Sequence, residues 1–367
     1  MADRGCSIYG TVNYPCGIQV ITNMRSFEKG KVSIVTPCYN GERFLDRYFD
    51  AICKQTYDKM ELIIVNDGST DNSEEVCLSR KPSIEERGYD FQYIQLKVNR
   101  GAAGAINEGL PHVTGEFLIW PDCDDTLMPT SIEKRVEFLN ENLDYAMVRS
   151  DYMAVYDENP DVIVGYGSDG ADVQNEDIFD NLIFEKTFCT AGCYMVRSAV
   201  LFERIPREGI YWQNRGGQNW QLLIPCAYKN KAGYIDEPLY KYYIRPDSHS
   251  HRIEGDEYSS LKKRTFVYHE ILYHVISDFH LLSEDEKADY LTRIELKYVM
   301  GRLNLALRYN KLEDAKMEMQ ALERMNVDPG IPRKILYLLC RFGVSRHALI
   351  GYSLIAQLSR KARRCGQ

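Results

Sequence analysis

From Lys31 onward, short runs of β-branched and apolar residues alternate with longer stretches whose apolar positions recur at helical spacing. VSIVT (32–36), ELIIV (61–65), FQYIQL (91–96), EFLIW (116–120) and YAMVRS (145–150) read as strands. Between them the spacing predicts helices over about 42–55, 71–87 and 102–110, and another after Pro129. Strands separated by helices of this length form βαβ units and a largely parallel sheet. Ligands of such sheets sit beyond the carboxyl ends of the strands, so chemistry is expected in the loops after residues 36, 65 and 120. Residues 151–250 are mixed, with short strands near 161–165 and 190–196 and a helix opening near Gly217. From about Asp256 strand signals stop, helical spacing covers 265–279 and 293–309, and Gly330-Ile331-Pro332 precedes a last apolar and basic helix. No internal repeat is present. The resulting map is a lead segment (1–30), an α/β body (31–250) and an all-helical region (256–367).

Composition confirms a globular chain, with 44% hydrophobic and 27% charged residues in 367. The net charge of −8 excludes a protein that coats nucleic acid through a basic surface. That charge is unevenly distributed. No acidic residue follows Asp328, whereas Arg333, Lys334, Arg341, Arg346, Arg360, Lys361, Arg363 and Arg364 are interleaved with apolar runs. Such an amphipathic tail suits the surface of an anionic inner membrane. It equally suits an apolar stripe docked on the helical region or on a second subunit of a homo-oligomer. The 11 cysteines are scattered and form no CxxC pair, which points to buried thiols in a reducing cytosol rather than to zinc or a disulfide framework. The N-terminus lacks the pattern of a secretory signal, and no apolar run approaches the roughly 20 residues of a membrane span. The expectation is a cytoplasmic protein, peripheral to the membrane if the tail binds it.

The chemistry-bearing residues fall where the sheet predicts them. Asp122-Cys123-Asp124-Asp125 directly follows a strand, and carboxylates at i and i+2 can grip one Mn2+ or Mg2+ through oxygen. The same residues also suit an acidic turn that caps the next helix, with Asp125 or Thr126 as N-cap. After the first strand, Pro37 fixes the chain, Tyr39 offers a ring for stacking on a base, and Asn40-Gly41 opens a helix. After the second, Asp67 can accept a hydrogen bond from a base imide and Gly68 turns the backbone; a plain turn with a helix cap is the alternative.

Taken together, Tyr39-Asn40, Asp67-Gly68-Ser69, Asn99-Arg100-Gly101 with Gly104, and the DxDD at 122–125 resemble the family 2 glycosyltransferases of the GT-A fold. The resemblance covers about 31–250 and implies a Rossmann-like mixed sheet flanked by helices, here followed by a helical extension. Asn99, Gly101, Asn107 and Gly109 match the family's Asn-x-Gly…Asn-x-Gly segment, but Ile106 replaces its usual arginine. By position, Pro37, Tyr39, Asn40, Asp67, Asn99, Gly101 and Gly104 would line the nucleotide-sugar site. Asp122 would face ribose and metal, and Asp124 would be the principal metal ligand. His249, favoured over His251, would complete the metal site, and Arg245 would meet the diphosphate.

The resemblance breaks at Gly217-Gln218-Asn219-Trp220, where the family carries Glu-Asp with the aspartate as general base. An amide cannot take a proton at neutral pH. Three readings follow. Gln218 and Asn219 position the acceptor while another carboxylate, Asp151, removes the proton; catalysis rests on metal and positioning with a weak or solvent base; or the site is catalytically crippled. Trp220 is a candidate for stacking on an acceptor sugar, or else a core residue. The expected activity is transfer of a hexosyl or N-acetylhexosaminyl group, with inversion. The donor would be a nucleotide sugar, most simply UDP-linked, and the acceptor a saccharide or lipid-linked glycan. The process would be assembly of capsule, exopolysaccharide, cell-wall or glycoprotein glycan. The competing expectation is an inactive nucleotide-sugar-binding subunit that regulates or scaffolds another transferase. A nucleotidyltransferase would need a glycine-rich basic phosphate loop that PCYNGERF does not provide.

Overall fold

The computed structural model describes residues 9–13, 19–23, 26–206, 208–245 and 255–342. The chain divides into two compact units, residues 1–246 with 278–281, and residues 247–277 with 282–367. In the first unit, β1 (Tyr9–Asn13) and β2 (Gln19–Asn23) pair as an antiparallel ribbon. The main sheet begins with β3 (Glu28–Cys38), whose last eight residues are all buried, as a continuous apolar run in a sheet covered on both faces requires. The helix α1 (Glu42–Cys53) covers it with Phe44, Leu45, Tyr48, Phe49 and Ile52, one apolar face at helical spacing. Then follow β4 (Met60–Asn66), α2 (Ser73–Glu86), β5 (Asp90–Gln95), α3 (Gly101–Gly109), β6 (Gly115–Ile119), the two-residue β7 (Thr126–Leu127) and α4 (Ser131–Glu141). The remainder of this unit is β8 (Tyr145–Tyr156), β9 (Asn159–Tyr166), α5 (Phe179–Ile183), β10 (Tyr194–Arg197), α6 (Ser198–Arg204), α7 (Gln218–Ala227) and β11 (Lys231–Ile244).

The strands run in the order β5-β4-β3-β6-β10-β8-β11-β7, with β9 paired to β8. The first four are mutually parallel, β10 is antiparallel to both β6 and β8, and β11 lies parallel to β8. The sheet is therefore mixed, as expected: β8 and β11 run in the same direction as the first four strands, and β10 is reversed between the two groups. Its parallel half brings the carboxyl ends of β3, β4 and β6 side by side.

Beneath that half, Glu61 forms a buried polar knot. It accepts from the Ser33 hydroxyl, from Thr114 N–H and Oγ1 at 2.6 Å each, and pairs with Lys31 at 3.0 Å. Burial pushes its carboxyl up, but these donors outweigh that and hold it below its ordinary 4.5. A depressed folded pKa stabilises above the unfolded value and is lost as pH falls through the folded one, so this contribution disappears below about pH 4.5. Glu61→Gln should cost about 1–3 kcal/mol at neutral pH, read as a lower urea midpoint, and the difference should shrink on acidification. Equal midpoints at pH 7 would contradict the assignment.

The second unit is helical, with α8 (Glu257–Ser277), α9 (Glu284–Arg308), α10 (Leu312–Arg324) and α11 (Ile331–Arg341). Ser283 and Glu286 form a capping box at the start of α9. Val299, Leu303, Ala306 and Leu307 of α9 pack with Ala315 and Leu322 of α10 and Cys340 of α11. Arg302 and Glu318 form a buried ion pair at 2.8 Å. Among the described residues, no helix is long and apolar enough to cross a membrane, and no cysteine forms a disulfide.

Candidate functional site

The loops after β3 and β4 are laced together at the carboxyl edge. Asn40, in the left-handed region at φ 49°, donates its N–H to Ser69 Oγ (2.9 Å) and accepts from Thr70 N–H (2.8 Å). Gly41 N–H donates to Ser73 Oγ at 2.8 Å. Pro37 pairs with Val65 in the sheet, and the ring of Tyr39 stands half-exposed at the edge. Asp67 is buried and accepts from the backbone N–H groups of Arg100 and Gly101, 2.7 Å each. It thus caps the N-terminus of α3, where a carboxylate is favoured by the helix dipole. Burial pushes its carboxyl up, opposed by those two N–H donors.

Asn99 accepts from Gly101 N–H (3.2 Å) and from the Arg215 guanidinium. Gly101 has φ +79°, and a Cβ there would fall 2.2 Å from the Arg215 carbonyl oxygen, so only glycine lets the two backbones meet. Gly104 lies one turn on, against the Arg100 side chain. Asn107 grips the Ile210 backbone with both amide atoms, at 2.7 and 2.9 Å. The segment 208–217 is therefore pinned over α3 by Asn99, Gly101 and Asn107. Sequence reasoning placed Asn99 and Gly101 on the donor and missed Arg215, because a contact spanning 116 residues leaves no local pattern.

Asp122, Asp124 and Asp125 bring carboxylate oxygens within 4.8 Å of one another just past β6. Their roles differ. Asp125 is buried and accepts from Tyr240 Oη and Tyr243 N–H, 2.9 Å each, which ties the loop to β11. Asp124 pairs with Arg245, and its carbonyl accepts from Arg47 at 2.7 Å. Burial and the neighbouring Asp124 push Asp122 up to about 7, while Arg245 pulls it back. Asp122 and Asp124 thus remain as a pair of hard oxygen donors, a set that suits Mn2+ or Mg2+. The alternative of Asp125 as a helix cap is not what forms: its carboxylate binds β11, and α4 begins only at Ser131.

Gln218 and Asn219 open α7, behind Gly217 in the left-handed region. Asn219 Oδ1 accepts from the indole Nε1 of buried Trp120 at 2.9 Å. Trp220 is enclosed in the core, so it offers no open face for stacking on a sugar; the exposed indole of this region is Trp212. Asp151 is buried on β8, where its oxygens accept from Tyr152 N–H (2.7 Å), Ser168 N–H (3.0 Å) and Ser168 Oγ (2.6 Å). It holds the turn after β9, a poor position for a group that must meet an acceptor hydroxyl. Arg245, expected at a diphosphate, is buried and salt-bridged to Asp124. His249 and His251 lie outside the described residues.

Residues 33–205 match the family model described as Glycosyl transferase family 2. An uncharacterized glycosyltransferase of Haemophilus influenzae is 31% identical over 160 residues, covering 44% of this chain and 46% of that protein. The putative glycosyltransferase EpsE of Bacillus subtilis is 28% identical over 239 residues, covering 65% and 77%. The chain thus spans about half the length of the first relative and more of the second. The crystal structure of S. aureus TarS 1-349 in complex with UDP-GlcNAc matches with a TM-score of 0.56 at 15% identity, covering 90% of this chain and 92% of that one. That likeness is one of fold, the mixed GT-A-like sheet followed by helices.

Proposed function

Because the chain belongs to glycosyl transferase family 2, we propose that it transfers a sugar from a nucleotide-sugar donor to a hydroxyl of a saccharide or lipid-linked glycan. The observation that carries this reading is the convergence of Asp122 and Asp124 with the loops that hold Tyr39 and Asp67 at one edge of the sheet. TarS was solved with UDP-GlcNAc, which favours a UDP-linked hexose or N-acetylhexosamine as donor. Asp122 and Asp124 would hold Mn2+ or Mg2+, and when bound the ion neutralises charge developing on the leaving diphosphate. Tyr39 stacks on the base. Asp67 fixes the N-terminus of α3 beside it, and Arg245 holds the Asp124 carboxylate in place.

With Asp151 held in a turn and an amide at 219, the second of the three proton-transfer readings is favoured: metal and positioning carry the reaction, and the acceptor proton leaves to solvent. The amide also supports a second reading, a weak or inactive subunit that binds nucleotide sugar on behalf of another transferase. Hydrolysis and transfer assays across a panel of nucleotide sugars, with and without Mn2+, test the proposal. Metal-dependent turnover of one donor supports it, binding without turnover supports the second reading, and no donor engaged under any condition contradicts both.

We further propose that the protein works on the cytoplasmic face of an anionic membrane. Ile331 and Leu338 of α11 and Phe342 at its C-cap share a face with Ile335 and are 72%, 49% and 82% exposed. Lys334 and Arg341 are exposed on its flank. The full-length protein should co-sediment with vesicles containing anionic lipid and not with neutral ones, and Leu338→Asp with Phe342→Asp should abolish this. Equal sedimentation with both vesicle types would remove the membrane role.

A further inference from the structure

Cys38 closes β3 and Cys123 stands between the two proposed metal ligands, yet neither thiol has a part in the reaction described above. β3 and β6 pair as far as Ile34 and Ile119, and the chain leaving each carries Cys38 and Cys123 to the same edge of the sheet. A Cβ on Gly41 would meet Cys38 Sγ at 2.8 Å and Cys123 Sγ at 3.2 Å, so both sulfurs lie over the same bare glycine. Both are reduced in this structure. Cys38 is fully enclosed and Cys123 retains 8% exposure. Cys77 of α2 is also fully enclosed, but it belongs to a helix rather than to the loop that follows β6.

We propose that Cys38 and Cys123 are an oxidation-sensitive pair, converted by a hydroperoxide into a disulfide that cross-links the base-binding loop to the metal-binding loop. In the first step one of the two sulfurs, as thiolate, attacks a peroxide oxygen. The O–O bond breaks, that sulfur keeps the hydroxyl as a sulfenic acid, and the other oxygen leaves with the proton given up by the thiol, as water when the oxidant is hydrogen peroxide. The second sulfur then attacks the sulfenic sulfur; the S–O bond breaks and the hydroxyl leaves as water with the second thiol's proton. Two thiols are oxidised by two electrons and one peroxide is reduced. The cross-link fixes Pro37–Tyr39 against Asp122–Asp124 and prevents the two loops from adjusting to a nucleotide. This consequence rests on the donor-binding reading proposed above; formation of the bond does not.

The test treats full-length protein with hydrogen peroxide, blocks remaining thiols and maps the peptides. A Cys38–Cys123 linked peptide, a loss of about 2 Da and reversal by dithiothreitol are expected. Mn2+-dependent UDP binding should weaken at least about tenfold on oxidation and recover on reduction. Cys77→Ser should still give the linked peptide, and Cys123→Ser should not. Absence of a Cys38–Cys123 link, or a Cys38–Cys77 link in its place, overturns the pair. A link that leaves UDP affinity unchanged overturns the cross-linking effect. If the link forms while the untreated protein binds no nucleotide, the pair stands and the donor reading falls.

Discussion

Asp124→Asn should lower metal-dependent turnover by about 10²–10³-fold, the range found when a single group that stabilises developing charge is removed. The fold should survive the change. An asparagine oxygen at 124 still accepts from the Arg245 guanidinium that pairs with the native carboxylate, and the carbonyl that receives Arg47 belongs to the backbone. Only the negative charge is lost. The adjacent Asp125 acts differently, since its oxygens anchor Tyr240 and the Tyr243 backbone. Initial rates of donor hydrolysis, together with urea midpoints, separate the two effects. An Asp124→Asn protein that turns over like the wild type would put the metal site elsewhere.

Asn219→Asp should raise turnover, by about 10²-fold if the new carboxylate meets the acceptor hydroxyl, since a placed general base typically contributes about 10²–10⁴. The native amide oxygen is fixed by the Trp120 indole N–H. An aspartate retains that bond through one oxygen and presents the other as a proton acceptor. The gain should appear in kcat rather than KM and should vanish at a pH low enough to protonate the carboxylate, because only the ionised form accepts a proton. Unchanged kcat, with the fold intact, would mean that position 219 does not face the acceptor.

The parallel half of the fold was legible because its strands are short, fully buried apolar runs punctuated by helices. ELIIV at 61–65 became Met60–Asn66, and EFLIW at 116–120 became Gly115–Ile119. The other half, beyond the reversed strand β10, was less legible. The 14-residue β11 contains Asp236, Glu237 and Pro238, residues that strands disfavour. It forms because the register against β8 shifts on either side of Pro238. Helix α10 also went unread, and its sequence LEDAKMEMQALER buries only Ala315, Glu318 and Leu322. At the site, the order of motifs located the loops, but the partner of each side chain did not follow from sequence. Asp151 and Trp220 looked available because both stand beside strand ends or helix starts, and only three-dimensional packing shows the first bound to Ser168 and the second enclosed. Nor did the residues around Asp67 hint that its carboxylate would cap α3, 33 residues further along the chain.

We propose that Asp122 and Asp124 form, with a divalent ion, the anchor of a nucleotide-sugar donor. Calorimetric titration of the full-length protein with UDP-GlcNAc in the presence of Mn2+, and again in EDTA, tests it most directly. Saturable binding that requires the metal and is lost in Asp124→Asn is the predicted result. Equal binding in EDTA, or binding unaffected by Asp124→Asn, would contradict it.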